Sequence, residues 1–140
     1  MNVKFVKYLS TKTLLKLIEL QKKCLPNDEA IMPTTEQYWW MVYEEKEPIA
    51  FACMQPSIRW DNTVYFSRCG VIYKYRGNGI QKCLITERIN KAKRLGFEWA
   101  ITDTTDNIPS SNSLISCGFK MFEPSIKWAS ENSIYWKYKI

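Results

Sequence analysis

A mixed α/β domain is what the sequence predicts, with a mostly antiparallel central sheet and helices packed against it. Three observations carry this. Short β-rich stretches with tight reversals fill the region before residue 72, apart from one early amphipathic helix. One strand–helix–strand unit follows, from Val64 to Asp103, and a pair of strands closes the chain. Reversals make antiparallel neighbours and a helical crossover makes a parallel one, so the sheet is mixed. A length of 140 residues corresponds to a single domain, residues 1–140, large enough for one real core.

The elements follow in order. Val3 to Leu9 reads as a first strand, with β-branched and aromatic residues loosely alternating with lysine. Ser10 or Thr11 caps a helix whose Leu14, Leu17, Ile18 and Leu25 keep helical spacing. Pro26 ends it by excluding the helical region from the residue before it. Asn27 to Thr35 is a loop, and Thr34 or Thr35 caps a short helical turn toward Tyr38-Trp39-Trp40. Met41 to Tyr43 and Pro48 to Met54 form a hairpin turned through Glu44 to Glu47. A reversal at Trp60 to Thr63 then leads into a strand, Val64 to Ile72. Next comes a long helix with Ile80, Leu84, Ile85, Ile89, Ala92 and Leu95 on one side, C-capped by Gly96. Glu98 to Asp103 is a strand, Asn107 to Ser116 a short helix broken by Gly118-Phe119, and Lys120 to Phe122 and Ser133 to Ile140 are the last strands. In the final strand Ile134, Trp136, Tyr138 and Ile140 alternate with Tyr135, Lys137 and Lys139, a pattern able to pair across a dimer. Monomer and homodimer both stay open.

Composition removes several chemistries. Hydrophobic residues at 46% and aromatics at 14% exclude a disordered chain. No apolar run approaches the roughly 20 residues of a membrane span. The lysine-interrupted start, Met1 to Phe5, lacks a signal-peptide layout, so a cytoplasmic protein without membrane partners is expected. The five cysteines, Cys24, Cys53, Cys69, Cys83 and Cys117, are far apart and histidine is absent, so no metal site is expected and buried free thiols are. Absence of histidine also removes Ser-His and Cys-His nucleophiles, leaving carboxylates, tyrosines, cysteines, lysines or water for acid–base work. The net charge of +6 suits an anionic ligand, either a phosphorylated cofactor or nucleic acid. Its cations are spread along the chain, which favours a solvated basic surface over a nucleic-acid footprint.

The most informative stretch is Val71-Ile72-Tyr73-Lys74-Tyr75-Arg76-Gly77-Asn78-Gly79-Ile80-Gln81-Lys82, where a strand passes through a two-glycine loop into the long helix. Such a helix start points unpaired N–H groups and a positive dipole end into the loop. The glycines allow close approach of the backbone and Arg76 adds charge. A phosphate or pyrophosphate cradle follows. It is not a P-loop, because no Gly-Lys-Ser/Thr is present, nor the three-glycine dinucleotide fingerprint.

A second segment, Thr104-Thr105-Asp106-Asn107-Ile108-Pro109-Ser110 leading to Leu114 and Gly118-Phe119, lies beyond the next strand. Together the two resemble the GNAT superfamily of N-acetyltransferases. That family's Q/R-x-x-G-x-G/A loop is matched by Arg76-Gly77-Asn78-Gly79-Ile80-Gln81 except at the last place. Its later Asn-x-x-Ala/Ser ending in Gly-Phe falls on Asn107, Ser110, Gly118 and Phe119. The resemblance implies a GNAT-like fold with a splayed parallel strand pair. It implies acetyl-CoA as co-substrate and no metal. The pyrophosphate would sit on the amides of Gly77, Asn78, Gly79, Ile80, Gln81 and Lys82, the pantetheine arm would pair with Val71, Ile72 and Tyr73, and Asn107 and Ser110 would line the arm.

The expected activity is transfer of an acetyl group to a primary amine of a small molecule or protein, by direct attack in a ternary complex. A nucleic-acid-borne amine and a CoA-binding module without turnover are the alternatives. Leu114 falls where many members carry the tyrosine that protonates the leaving thiolate. That role is vacant, or falls to Cys117, Tyr135 or water. For the base the candidates are Asp103, Asp106, Glu36, Glu47 or a water chain. Asp103 comes first, because its position faces the splay in the family layout, while Asp106 caps the Asn107 helix. Among the aromatics, Tyr38-Trp39-Trp40, Trp60, Tyr65, Trp128, Tyr135 and Trp136 suit a core or an acceptor wall, and Arg59 and Arg68 suit an acidic group of the acceptor.

Overall fold

A computed structural model describes residues 1–140. Its strands are β1 (Asn2–Val6), β2 (Tyr38–Glu44), β3 (Glu47–Pro56), β4 (Thr63–Val71), β5 (Trp99–Thr105), β6 (Lys120–Phe122) and β7 (Ser133–Lys139). The helices are α1 (Thr11–Cys24), α2 (Ile80–Arg94) and α3 (Ile108–Ser116). The strands form one 7-stranded sheet in the order β1-β2-β3-β4-β5-β7-β6. Every neighbouring pair is antiparallel except β4 with β5.

Helix boundaries follow local chemistry. Ser10 caps α1, its Oγ accepting from Thr13 N–H, and Leu25 closes the helix just before Pro26. Gly79, at φ +76°, turns the chain into α2, and Gly96, at φ +85°, takes it out. The buried face of α2 carries Ile80, Leu84, Ile85, Arg88 and Ala92. Leu95, expected on that face, is the C-cap residue and 43% exposed, because the helix ends before its side chain reaches the sheet. Arg88 takes a place on the apolar stripe that hydrophobicity does not predict.

Two cores lie on opposite faces of the sheet. Leu17, Leu20 and Cys24 of α1 pack on Trp39, Met41, Phe51 and Cys53. Ile80, Leu84, Ile85 and Ala92 of α2, with Leu114 of α3, pack on Trp40, Val42, Ala52, Val64 and Phe66. β2 and β3 feed both cores, so they read as continuous apolar runs rather than alternating ones. This explains one correction: Tyr38-Trp39-Trp40 lies in β2, not in a helical turn, because β1 and β3 bond it on both edges and both faces are covered. β7 shows the same effect. Tyr135 and Trp136 are both buried while Ile134 is exposed, so the expected alternation does not hold. β7 also lies between β5 and β6, and so is not the free edge a cross-dimer pairing needs.

β4 and β5 pair only from Thr63↔Trp99 to Tyr65↔Ile101, although each strand continues for several residues. Beyond that point they part. A bulge helps to separate them: Met54 faces Phe66 and Cys53 faces Arg68, leaving Ser67 as the extra residue in β4. Thr102 Oγ1 donates to Phe66 O at 2.8 Å, holding the two strands together where the gap opens. No helix is long and apolar enough to cross a membrane.

Candidate active site

The gap between β4 and β5 opens toward the start of α2, and two connected grooves occupy the region. The outer groove, about 350 Å³, runs along Gly70, Val71, Arg76, Gly77, Gly79 and Gln81. The inner one, about 270 Å³, lies in the gap itself, between Phe66, Arg88 and Thr102 at one end and Gln81, Asn107 and Ser110 at the other. Gln81, Asn107 and Ser110 line both.

The outer groove is made of backbone. A single 3₁₀ turn, Tyr73–Tyr75, follows β4 where the sequence predicts an open loop. Arg76 then folds back, its Nε donating to Val71 O at 3.1 Å and its guanidinium lying 5.4 Å from the Tyr73 ring. Ile72 N–H bonds Ile49 O on the β3 side, so the polar groups of Val71 face the gap. With its carbonyl held by Arg76, the Val71 N–H is the group left for a ligand.

The first helical bond of α2 runs from Cys83 N–H to Gly79 O, and no backbone N–H from Gly77 to Lys82 donates to a protein acceptor. Gly77 and Gly79 both have positive φ, and a Cβ on either would meet no protein atom within 4 Å. A run of unpaired amides at a positive helix end, on an open and side-chain-free floor, fits the pyrophosphate of CoA. Ile80 contributes its backbone alone, since its side chain is in the core. Asn78 Nδ2 is used within the turn, on Tyr75 O and Arg76 O.

Gln81 and Asn107 adopt arrangements that sequence does not reveal. Gln81 Nε2 reaches across to Ser110 Oγ at 2.8 Å, tying α2 to α3 where the two grooves meet. Asn107, not Asp106, caps α3: its Oδ1 accepts from Ser110 N–H at 3.1 Å, while Asp106 sits at φ +50°. The cap position needs an extended residue, which Asn107 supplies, and Asp106 is in the left-handed region. The Asn107 amide nitrogen remains for a ligand.

The candidate base and acid share one face of the sheet. Asp103 and Tyr135 are directly opposed across β5 and β7. Asp103 Oδ2 accepts from Tyr65 OH at 2.5 Å and from Trp128 Nε1 at 2.9 Å, which fixes the carboxylate and leaves Oδ1 free. Burial and the adjoining Asp103 charge both push the Tyr65 hydroxyl up, so it stays a proton donor to that carboxylate. Asp103 lines the inner groove. Tyr135 does not. It is 2% exposed, its hydroxyl accepts from Ala129 N–H at 3.0 Å, and its ring packs edge-on to Trp128. The structure therefore places it as a support of the wall and keeps it out of the groove. Glu36 and Glu47 lie outside both grooves.

Arg68 is likewise committed elsewhere. Its guanidinium donates to Gln21 Oε1, Glu29 O and Ala30 O, pinning the loop after α1 over the gap. Arg59 stacks 5.1 Å from the Trp128 ring. Of the cysteines, all free, Cys24 and Cys53 are buried and burial pushes each thiol up to about 11; Cys69, Cys83 and Cys117 are partly exposed, and the expectation of buried thiols holds for two of the five. Leu114 is buried and lines the inner groove.

A parallel strand pair that parts beside a glycine-floored helix start suits an extended ligand that carries a phosphate group. The family model for the acetyltransferase (GNAT) family matches residues 11–119, and the chain belongs to that family. Among solved structures it is similar to the ribosomal-protein-S18-alanine N-acetyltransferase of Escherichia coli, with TM-score 0.77 over 99% of this chain and 94% of that one, at 12% identity. The PaiA N-acetyltransferase of Thermoplasma acidophilum, in complex with coenzyme A, gives TM-score 0.76 with both chains fully covered, at 14% identity. A streptothricin acetyltransferase homologue of Bacillus anthracis, in complex with acetyl coenzyme A, gives 0.64 over 81% of this chain and 70% of that one, at 22% identity. Similarity at these identities establishes the shared fold. A search of curated proteins finds no sequence match.

Proposed function

We propose that this protein is an N-acetyltransferase that moves an acetyl group from acetyl-CoA to a primary amine, with both substrates bound at once. The observation that carries the reading is the run of unpaired amides from Gly77 to Lys82, opening directly into the gap between β4 and β5. Those amides, with Lys82 beside them, hold the pyrophosphate. The Val71 N–H and the Asn107 amide nitrogen bind the arm along the gap, and Ser110 lines it once the Gln81 side chain swings away. Ile72 has its N–H on Ile49 O and Tyr73 lies in the 3₁₀ turn, so neither lines the grooves. Acetyl-CoA supplies an acetyl group activated as a thioester.

The amine must lose a proton to attack. Asp103 Oδ1 takes it, because Tyr65 and Trp128 hold the other oxygen and aim the carboxylate at the gap. Backbone N–H groups near Val71 polarise the carbonyl under attack. The Leu114 side chain carries no proton to give the departing thiolate, so water supplies it, which the ordinary thiol pKa of roughly 8.5 permits. For the acceptor, a protein amine is supported by the ribosomal-protein-alanine N-acetyltransferases of Escherichia coli and Brucella melitensis among the structural neighbours.

Calorimetric titration with acetyl-CoA tests the reading. Saturable binding at tens of micromolar or tighter is expected, and its absence would remove the basis of the proposal. Release of free thiol in the presence of an amine panel distinguishes an enzyme from a binding module.

A further inference from the structure

Arg88 is the one charged side chain fully inside the α2 core. It is 3% exposed, its Nε donates to Leu84 O at 3.2 Å and its Nη1 to Cys53 O at 3.3 Å. These two bonds leave most of its donors without a protein partner. The chain contains two ion pairs, Met1 with Glu44 and Lys127 with Glu123, and neither involves Arg88. The titratable groups that bear on it are the thiols of Cys53, Cys69 and Cys117. Burial pushes all three thiols up, so they stay neutral and supply no counter-charge. A cation out of water without a carboxylate is costly unless something pairs with it.

Its position indicates what that partner is. The guanidinium lies 4.2 Å from the centre of the Phe66 ring and lines the inner groove where β4 and β5 begin to part. Phe66 and Thr102, bonded across the gap, mark the closed end of that groove. Asp103 does not neutralise this end. Residues of β5 alternate between faces, and the Asp103 carboxylate is bonded to Tyr65 and Trp128 on the face away from α2. Arg68, the other cation on the groove, is used up by Gln21, Glu29 and Ala30. The groove thus has one end open toward the helix start and one closed end finished by an unpaired guanidinium.

We infer that Arg88 is a specificity group for the acyl donor: the gap between β4 and β5 accepts an acyl chain ending in a carboxylate, which Arg88 binds at the closed end. The inference rests on the acyl-CoA reading above and extends it to dicarboxylic acyl donors. The groove, at about 270 Å³, has room for a short dicarboxylic chain. A guanidinium fork is suited to two carboxylate oxygens. Transfer balances as it does for acetyl: the amine nitrogen bonds the acyl carbon, the C–S bond breaks, the thiolate takes a proton from water and the amine gives one up to Asp103.

The experiment is calorimetry on the intact protein with four probes: CoA, acetyl-CoA, butyryl-CoA and succinyl-CoA. Butyryl and succinyl chains match in length and differ in the terminal carboxylate. Succinyl-CoA is expected to bind at least tenfold more tightly than butyryl-CoA, and in Arg88→Met that ratio is expected to fall to about one. Arg88→Lys, which keeps the charge without the fork, should retain part of it. The wild-type ratio stands without either variant, should one fail to fold. If CoA and acetyl-CoA bind but succinyl-CoA gains nothing over butyryl-CoA, the inference about Arg88 is overturned and the CoA reading survives. If no CoA species binds, both fall.

Discussion

The two sides of the gap between β4 and β5 are built in different ways. On the side where α2 begins, the site is backbone: free amides from Gly77 to Lys82 on a glycine floor, with Arg76 anchored to Val71 O. On the other side it is side chain. Asp103 is held by Tyr65 and Trp128, Trp128 is buttressed by Tyr135 and covered by Arg59, and the loop after α1 is tied down by Arg68. The first construction depends on a dozen consecutive residues. The second joins positions 38 and 25 residues apart in its two bonds to Asp103 alone. A backbone site of this kind tolerates changes in sequence as long as φ and the helix start are kept. A side-chain wall can be altered residue by residue, and this suits it to setting which acceptor is taken.

Substitutions on each side should separate the two roles. The largest effect is expected from Asp103→Asn, which keeps the shape of the wall and removes the proposed base. Turnover should fall by roughly 10²–10⁴-fold with acetyl-CoA affinity unchanged, as initial rates and calorimetry would show. Loss of affinity instead would mean that the two sides are not independent. On the cradle, Gly79→Val places a β-branched residue at φ +76° on an open floor. Weakening of acetyl-CoA binding on the order of 100-fold is expected, with left-handed strain of roughly 1–2 kcal/mol visible in thermal melts. Gly79→Asn, which tolerates the same φ, should relieve the strain more than the binding defect.

Arg68→Ala removes three bonds that close the loop over the gap. A loss of about 1–3 kcal/mol is expected in denaturant unfolding, with faster proteolysis between residues 26 and 30. Uniform protection of that loop would show that Arg68 does not hold it. The pH dependence of stability tests the α1 core that backs this side. The folded state holds the Cys24 and Cys53 protons up to about pH 11, whereas an unfolded chain releases them from roughly pH 8.5 upward. Their contribution is fully present below that pH and is lost as pH rises toward 11. The melting temperature should therefore decline over this window, and less steeply in Cys53→Ala. The smallest effect is expected from Gln81→Ala, which removes the tie to Ser110 across the groove. Acetyl-CoA should bind about two- to threefold more tightly, since one hydrogen bond no longer has to yield.

Legibility in the sequence followed the same division. The Gly77–Gly79 turn, the Ser10 cap, the Pro26 stop and the α2 stripe were readable because each depends on neighbours along the chain. The second segment was nearly so, with the cap assigned one residue early because Asp106 and Asn107 are both good caps and only φ separates them. Tyr38-Trp39-Trp40 does not read as a strand because two covered faces erase the alternation that marks one. Tyr135 was a reasonable acid by type and strand position, and only packing shows its hydroxyl turned to Ala129 N–H.

By itself, then, the sequence determined the mixed α/β class, the order of the elements and the two-glycine turn at the start of α2. These rest on periodicity and on backbone chemistry confined to short windows. The tertiary structure alone decided where β4 and β5 part, which oxygen of Asp103 is free, that Arg68 is committed, and that Arg88 stands unpaired at the closed end of the groove. Each of those depends on partners brought together by pairing in the sheet, and charge and hydrogen-bond satisfaction are properties of the assembled site rather than of the residues one at a time.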